Sequence, residues 1–245
     1  MKKIIGLTTI CCFATFVLSA QSKWFITATS GASVGGPATS IKKKMVDKGW
    51  NDISNGTFIF FTWSTEYPIV TRDVSLLISG GRKVKEGKSI FFTAGLADQA
   101  EVEGFKNEGY SNLLIVGSSY GRYISAKYKV WQVAGGYEYS YPKSKFRLGF
   151  GPSIFIYDYQ YTVGAESEKD GTTKKDKSIA AGVVGTARLP LGKGKRKIGM
   201  EAFSQLTLAL PAKMDDFTMN NSSDKMGVNM MQANLGVALT LRGKR

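Results

Sequence analysis

The 245-residue sequence contains no histidine, and its two cysteines, Cys11 and Cys12, lie side by side within the first twenty residues. Without an imidazole, a serine such as Ser118 or Ser119 has no general base to activate it, so histidine-dependent nucleophilic catalysis is excluded. With both cysteines in a segment expected to be removed, the mature chain has no disulfide and no thiolate chemistry. The same two absences remove zinc-type sites. Calcium could use oxygens alone, and Asp215, Asp216, Asn220, Asn221 and Asp224 fall close together, but their spacing specifies no loop, so no metal and no cofactor is assigned. Acidic residues are also scarce, at 19 against 33 basic ones. Finally, there is no apolar run long enough for a membrane helix: Ile4 to Leu18 is too short to span comfortably.

The chain opens "MKKIIGLTTICCFATFVLSAQSKW": two lysines, an uncharged apolar stretch, and a small residue at Ala20. This predicts a secretory signal peptide over residues 1–20. Neither cysteine follows a small residue as a lipidation site requires. Residues 21–245 are then a single domain, since no linker divides them. Removing Lys2 and Lys3 leaves 31 basic against 19 acidic residues, a net charge of +12. In an exported protein that charge points away from nucleic acid and toward anionic lipid or polysaccharide phosphate.

"GGRKVKEGKSIFF" at 80–92 invites a phosphate-loop reading. Five residues separate Gly81 from Gly87 where four are needed, and no helical periodicity follows, so the stretch is a strand, a basic turn and a second strand.

That hairpin rhythm fills the chain. In "MQANLGVALTLR", Met231, Ala233, Leu235, Val237, Leu239 and Leu241 alternate with polar or small residues. "IGMEAFSQLTLAL", "SIAAGVVGTARLPL" and "FRLGFGPSIFIYDYQY" repeat the split, and the polar face includes Gln132, Gln205, Gln232 and Asn234. The spacing predicts an all-β fold, a closed antiparallel transmembrane β-barrel of 8–10 strands. Ten segments qualify: 23–34, 56–66, 73–82, 88–98, 112–124, 128–141, 145–162, 177–191, 197–211 and 229–243. If 88–98 and 112–124 form only a loop hairpin, the count is eight. Short turns such as "YPKS" and "LGKGKRK" alternate with long loops, which places both termini in the periplasm. Aromatic residues near strand ends (Trp24, Trp63, Tyr67, Trp131, Tyr139, Tyr141, Phe146, Tyr157, Tyr159, Tyr161) are expected in interface girdles.

With its hairpin rhythm, as in "YEYSYPKSKFRLGFGPSIFIY", the chain resembles the small outer-membrane β-barrel proteins of Gram-negative-type bacteria, the OmpX-, OmpW- and porin-like class. The ending "LTLRGKR" departs from the aromatic close usual in that family. The resemblance implies a bacterial outer-membrane location, insertion by the barrel assembly machinery, and contact with outer-membrane lipid or lipopolysaccharide. The expected function is non-enzymatic, structural or surface-binding, with basic outer loops facing anionic lipid or a surface ligand. Two alternatives stay open: a narrow porin-like channel for small solutes, and a soluble secreted carbohydrate-binding β-sandwich.

The candidate site is electrostatic. A two-residue turn at Pro142-Lys143 puts Glu138 opposite Arg147, and one at Gly194-Lys195 puts Arg188 opposite Glu201, all facing inward. Four charges on neighbouring strands either gate a lumen or form a fixed network that fills it.

Overall fold

The computed structural model describes residues 24–113, 116–141, 146–164, 171–191, 198–215 and 225–242. The expected signal peptide, the turn residues at Pro142-Lys143 and Gly194-Lys195, and the calcium candidates Asp216, Asn220, Asn221 and Asp224 lie outside these residues.

The described elements are β1 (Trp24–Gly35), α1 (Pro37–Asp47), β2 (Ile53–Phe58), β3 (Phe61–Glu66), β4 (Ile69–Arg72), β5 (Ser75–Lys85), β6 (Lys88–Leu113), β7 (Val116–Ser140), β8 (Arg147–Gly164), β9 (Thr172–Pro190), β10 (Ile198–Asp215) and β11 (Lys225–Arg242). Antiparallel pairing runs β6–β7–β8–β9–β10–β11–β1–β5 and returns to β6, so eight strands close into a ring. A single sheet closed on itself has one inner face, which rules out the two-sheet sandwich. At the seam between β1 and β11, Gly31 stands opposite Gly236, and a Cβ on Gly236 would lie 2.1 Å from the Ser30 carbonyl oxygen. Only glycine admits that approach.

The expected strand list needs two corrections. Segment 56–66 forms the β2–β3 hairpin, which leaves the ring and pairs through β2 with the far end of β7. Segments 112–124 and 128–141 belong to one strand, β7, and 88–98 continues to Leu113. The polar stretch "ADQAEVEGFKNEGYSN" is thus strand rather than loop. Lys106 and Glu108 face water while Asp98, Ala100, Val102 and Phe105 are buried, and bulges at Leu96/Asp98 and Asn107/Gly109 break the period-two pattern.

Two regions of opposite polarity divide the ring. Over nine to eleven residues per strand, as from Trp131 to Tyr139 or Met231 to Leu241, the large apolar side chains point outward and are exposed while polar ones are buried. Beyond this band the sense inverts: Lys127, Lys129, Asp158 and Lys213 face out, and Tyr128, Tyr159, Met214 and Val228 are buried. An apolar exterior of that height on a closed barrel fits a tilted strand crossing of a bilayer. The chain folds as a membrane-spanning barrel.

Helix α1 seats Ala38, Ile41 and Met45, all fully buried, at the mouth opposite the short turns. We call that the loop end and the other the turn end. The girdle expectation holds for Trp131, Tyr139 and Tyr141 on the outside, whereas Tyr157, Tyr159 and Tyr161 point inward into the core under the helix. Trp63 and Tyr67 belong to the extension beyond the band, on β3 and just after it.

Candidate functional site

The inward polar residues of the band lie at three levels, and contacts cross the ring at each.

At the turn end, Glu138 (β7), Arg147 (β8), Arg188 (β9) and Glu201 (β10) come together with their side chains 1%, 12%, 1% and 0% exposed. The register differs from the expected one: Glu138 pairs with Gly149 and Ser140 with Arg147, while Arg188 pairs with Phe203 and Glu201 with Pro190. The reason is turn length. Tyr141 N–H bonds the Phe146 carbonyl and Leu191 N–H bonds that of Met200, so each connection is longer than two residues. Each opposite partner moves by two positions, which preserves the inward face. Arg147 Nη1 lies 3.0 Å from Glu138 Oε1, its Nη2 contacts Glu201 Oε2, and Arg188 Nε stands 3.6 Å from Glu138 Oε2. Arg147 also lies 5.4 Å from the centre of the Phe25 ring on β1, and Arg188 lies 5.3 Å from that of Phe203. Two cations and two anions cancel, which is what burial of four charges requires.

At mid-height, Gln205 Nε2 (β10) donates to Gln132 Oε1 (β7) at 2.8 Å, spanning three strand positions of the ring. Gln132 Nε2 and Gln205 Oε1 have no hydrogen-bond partner among the described residues, capacity that water can meet.

At the third level, Gln232 Nε2 and Asn234 Nδ2 (β11) both donate to the Ala97 carbonyl (β6), at 3.0 and 3.2 Å. Beside them lies an acid that the alternation did not reveal. Asp98 is fully buried because the bulge after Leu96 turns Ala97 and Asp98 inward together. It accepts hydrogen bonds from Ser33 Oγ and, at 2.8 Å, from Tyr128 Oη, with Arg72 Nη1 at 3.6 Å. Tyr128 Oη in turn accepts the Ala38 N–H at 3.1 Å. Helix α1 has no side-chain cap of its own, so the barrel wall satisfies one of its free N–H groups. The all-β reading of the sequence missed this helix, whose available signals were Pro37 at its first turn and the spacing of Ala38, Ile41 and Met45.

Residues 117–121, Gly-Ser-Ser-Tyr-Gly, have the spacing of a nucleophile elbow, but that motif needs a strand-to-helix turn and these residues lie within continuous β7. Ser119 Oγ accepts the Asn55 N–H at 3.0 Å, holding β2 to the barrel. Asp215 ends β10, where it pairs with Lys225. Among the described residues, no three His, Cys, Asp or Glu side chains cluster as metal ligands. Outside the band, burial raises the Tyr67 phenol above its usual range, with Tyr123 and Glu103 adding to the shift.

No family model matches the chain, and no curated protein matches it. Among solved structures, it is similar to Ail, the attachment invasion locus protein of Yersinia pestis (8% identity, 91% of this chain and 100% of that one, TM-score 0.36). It is also similar to Neisserial surface protein A (9%, 89% and 96%, TM-score 0.35) and to the outer membrane protein OprG of Pseudomonas aeruginosa (10%, 91% and 99%, TM-score 0.33). None of these likenesses bears on what the protein binds.

Proposed function

We propose that the chain is a non-enzymatic integral outer-membrane barrel with a closed lumen, which serves to display the structure at its loop end. The observation that carries this reading is the set of contacts crossing the ring at three levels: Arg147 to Glu201 and Phe25, Gln205 to Gln132, and Gln232 with Asn234 to Ala97. Helix α1 adds a fourth closure at the mouth. A channel for small solutes needs a continuous wet path, and these side chains occupy it.

Display is supported by the height of the extension. β7 continues 15 residues past Trp131 to Val116, on the order of 50 Å of strand at about 3.3 Å per residue. At its tip the β2–β3 turn exposes Phe60 (92%) and Phe61 (75%) beside Trp63, and β3 is an edge strand with no Lys or Pro to guard it. Those features suit a surface ligand. Insertion would use the barrel assembly machinery, and the lipid contacts of the band would be with outer-membrane lipid.

Cell fractionation tests the membrane half of this reading. The mature protein stays with outer membranes through carbonate or urea washing and migrates faster on a gel unheated than boiled. Recovery from the soluble periplasm or the medium would overturn it.

A further inference from the structure

The described strand ends mark the two ends of the barrel, and the charge of the sequence adjoining them is divided unequally. Five stretches of sequence contain or adjoin the strand ends described at the turn end: residues 21–25, 82–88, 141–146, 191–198 and 242–245. In sequence they hold 14 basic residues and one acidic residue, Glu86. The remainder of the mature chain has 17 basic against 18 acidic residues, so the whole positive excess lies in these five stretches of sequence. Basic outer loops were expected. The rest of the sequence is instead close to neutral, and four cations beyond the band on the loop side are matched: Lys127 with Glu101 at 3.3 Å, Arg122 with Glu108 at 2.8 Å, Lys177 with Asp158 at 3.9 Å and Lys225 with Asp176 at 2.9 Å.

The β5–β6 hairpin shows how the turn-end cations are held. Arg82, Lys83, Lys85 and Lys88 are all exposed, and no salt bridge ties any of them to a carboxylate among the described residues. Two of them lie against aromatic rings at the lower edge of the apolar band: Arg82 is 5.7 Å from the centre of the Trp24 ring and Lys88 is 5.5 Å from that of Tyr139. Interfacial Trp and Tyr rings rest at headgroup depth. Cations packed on them are therefore level with lipid phosphates rather than extended into the aqueous space, where a soluble acidic polymer would be met. Salt screening acts within about 10 Å at 0.1 M, so this placement decides which anion the four side chains feel.

We propose that the β5–β6 hairpin at the turn end is a docking site for the headgroups of anionic phospholipid in the leaflet it faces. The proposal rests on the outer-membrane reading above. Arg82, Lys83, Lys85 and Lys88 are its cations, and the ligand chemistry is a phosphodiester anion at the depth of Trp24 and Tyr139.

The test uses the full mature barrel in detergent, incubated with equimolar phosphatidylglycerol and phosphatidylcholine, with bound lipid counted by native mass spectrometry. Each Lys or Arg at an anionic surface contributes about five-fold. Wild type is expected to retain phosphatidylglycerol over phosphatidylcholine by at least about five-fold. The variant Arg82→Gln, Lys83→Gln, Lys85→Gln, Lys88→Gln falls below about two-fold, while Lys127→Gln, Lys129→Gln, Lys177→Gln at the loop end keeps the wild-type ratio. Equal retention by wild type would overturn the proposal, as would an unchanged preference in the four-glutamine variant. Loss in the loop-end variant would also overturn it, because the anion site would then face lipopolysaccharide phosphate on the other side. Gel mobility with and without boiling, run on each sample, separates the two claims. A heat shift without lipid preference sinks only the docking site, and absence of the shift sinks the barrel reading with it.

Discussion

The Arg147 guanidinium, on β8, lies 5.4 Å from the centre of the Phe25 ring on β1, the strand opposite it in the eight-strand ring. A side chain that reaches from one wall to the other measures the lumen: at this level it is one arginine wide. The same guanidinium contacts Glu138 and Glu201, so it holds both anions of the charge layer. Arg147→Ala leaves two buried carboxylates short of a partner and is expected to cost roughly 3–5 kcal/mol, less where water enters. Glu201→Ala costs a similar amount. The double variant loses less than the sum, with a coupling of at least about 1 kcal/mol in a urea titration. Additive losses would show that the two groups do not share an interaction.

The chain's alternation revealed the barrel and the face on which each charge lies, because a period of two survives an error in turn length. Glu138 and Arg147 were therefore expected to meet for a reason that was only half right: they share a face, but as diagonal neighbours rather than opposite ones. What was missed lies where the period breaks. Asp98 faces inward only because of one extra residue in β6, and the cue to it in "TAGLADQ" is Gly95, a lone glycine within a strand with φ of 150°. The charged outer face of residues 98–113 looked like a loop because a strand clear of the membrane has its polarity reversed relative to one within it.

Tyr128 joins the mouth helix to the buried acid. Tyr128→Phe removes one hydrogen bond to the Ala38 N–H and one to Asp98, while Ser33 and Arg72 still serve Asp98. The expected cost is about 1–3 kcal/mol. It should be local: amides of Ile41 to Met45 exchange faster with deuterium, and the heat shift on a gel is unchanged. Unaltered exchange in α1 would mean that the hydroxyl does not hold the helix.

At the seam, Gly236→Val forces a branched side chain against the backbone of β1, since even a Cβ would stand 2.1 Å from the Ser30 oxygen. Overpacking of this kind costs typically 1–3 kcal/mol. Because Gly31 and Gly236 join the first and last strands of the ring, the loss should appear as a lower yield of the fast-migrating folded form. A wild-type yield and urea midpoint would show that β1 and β11 do not approach as described.

Catalysis is not expected at Ser119, whose hydroxyl accepts the Asn55 N–H. Purified barrel in detergent should hydrolyse lipid A, phospholipid and peptide no faster than a denatured control. Ser119→Ala should loosen the β2–β3 hairpin, seen as faster proteolysis between Ser54 and Thr65. Turnover by wild type that disappears in Ser119→Ala would contradict the non-enzymatic reading.

Conductance in planar lipid bilayers tests the closed lumen most directly. Wild type, with Arg147, the Gln132–Gln205 bridge, the Gln232 and Asn234 contacts to Ala97 and α1 in the path, should be electrically silent, and Gln132→Gly with Arg147→Gly should stay silent under the same voltage because the last two closures remain. Steady conductance through wild type, changed in ion selectivity by Arg147→Gly without loss of stability, would contradict the account and make the barrel a channel.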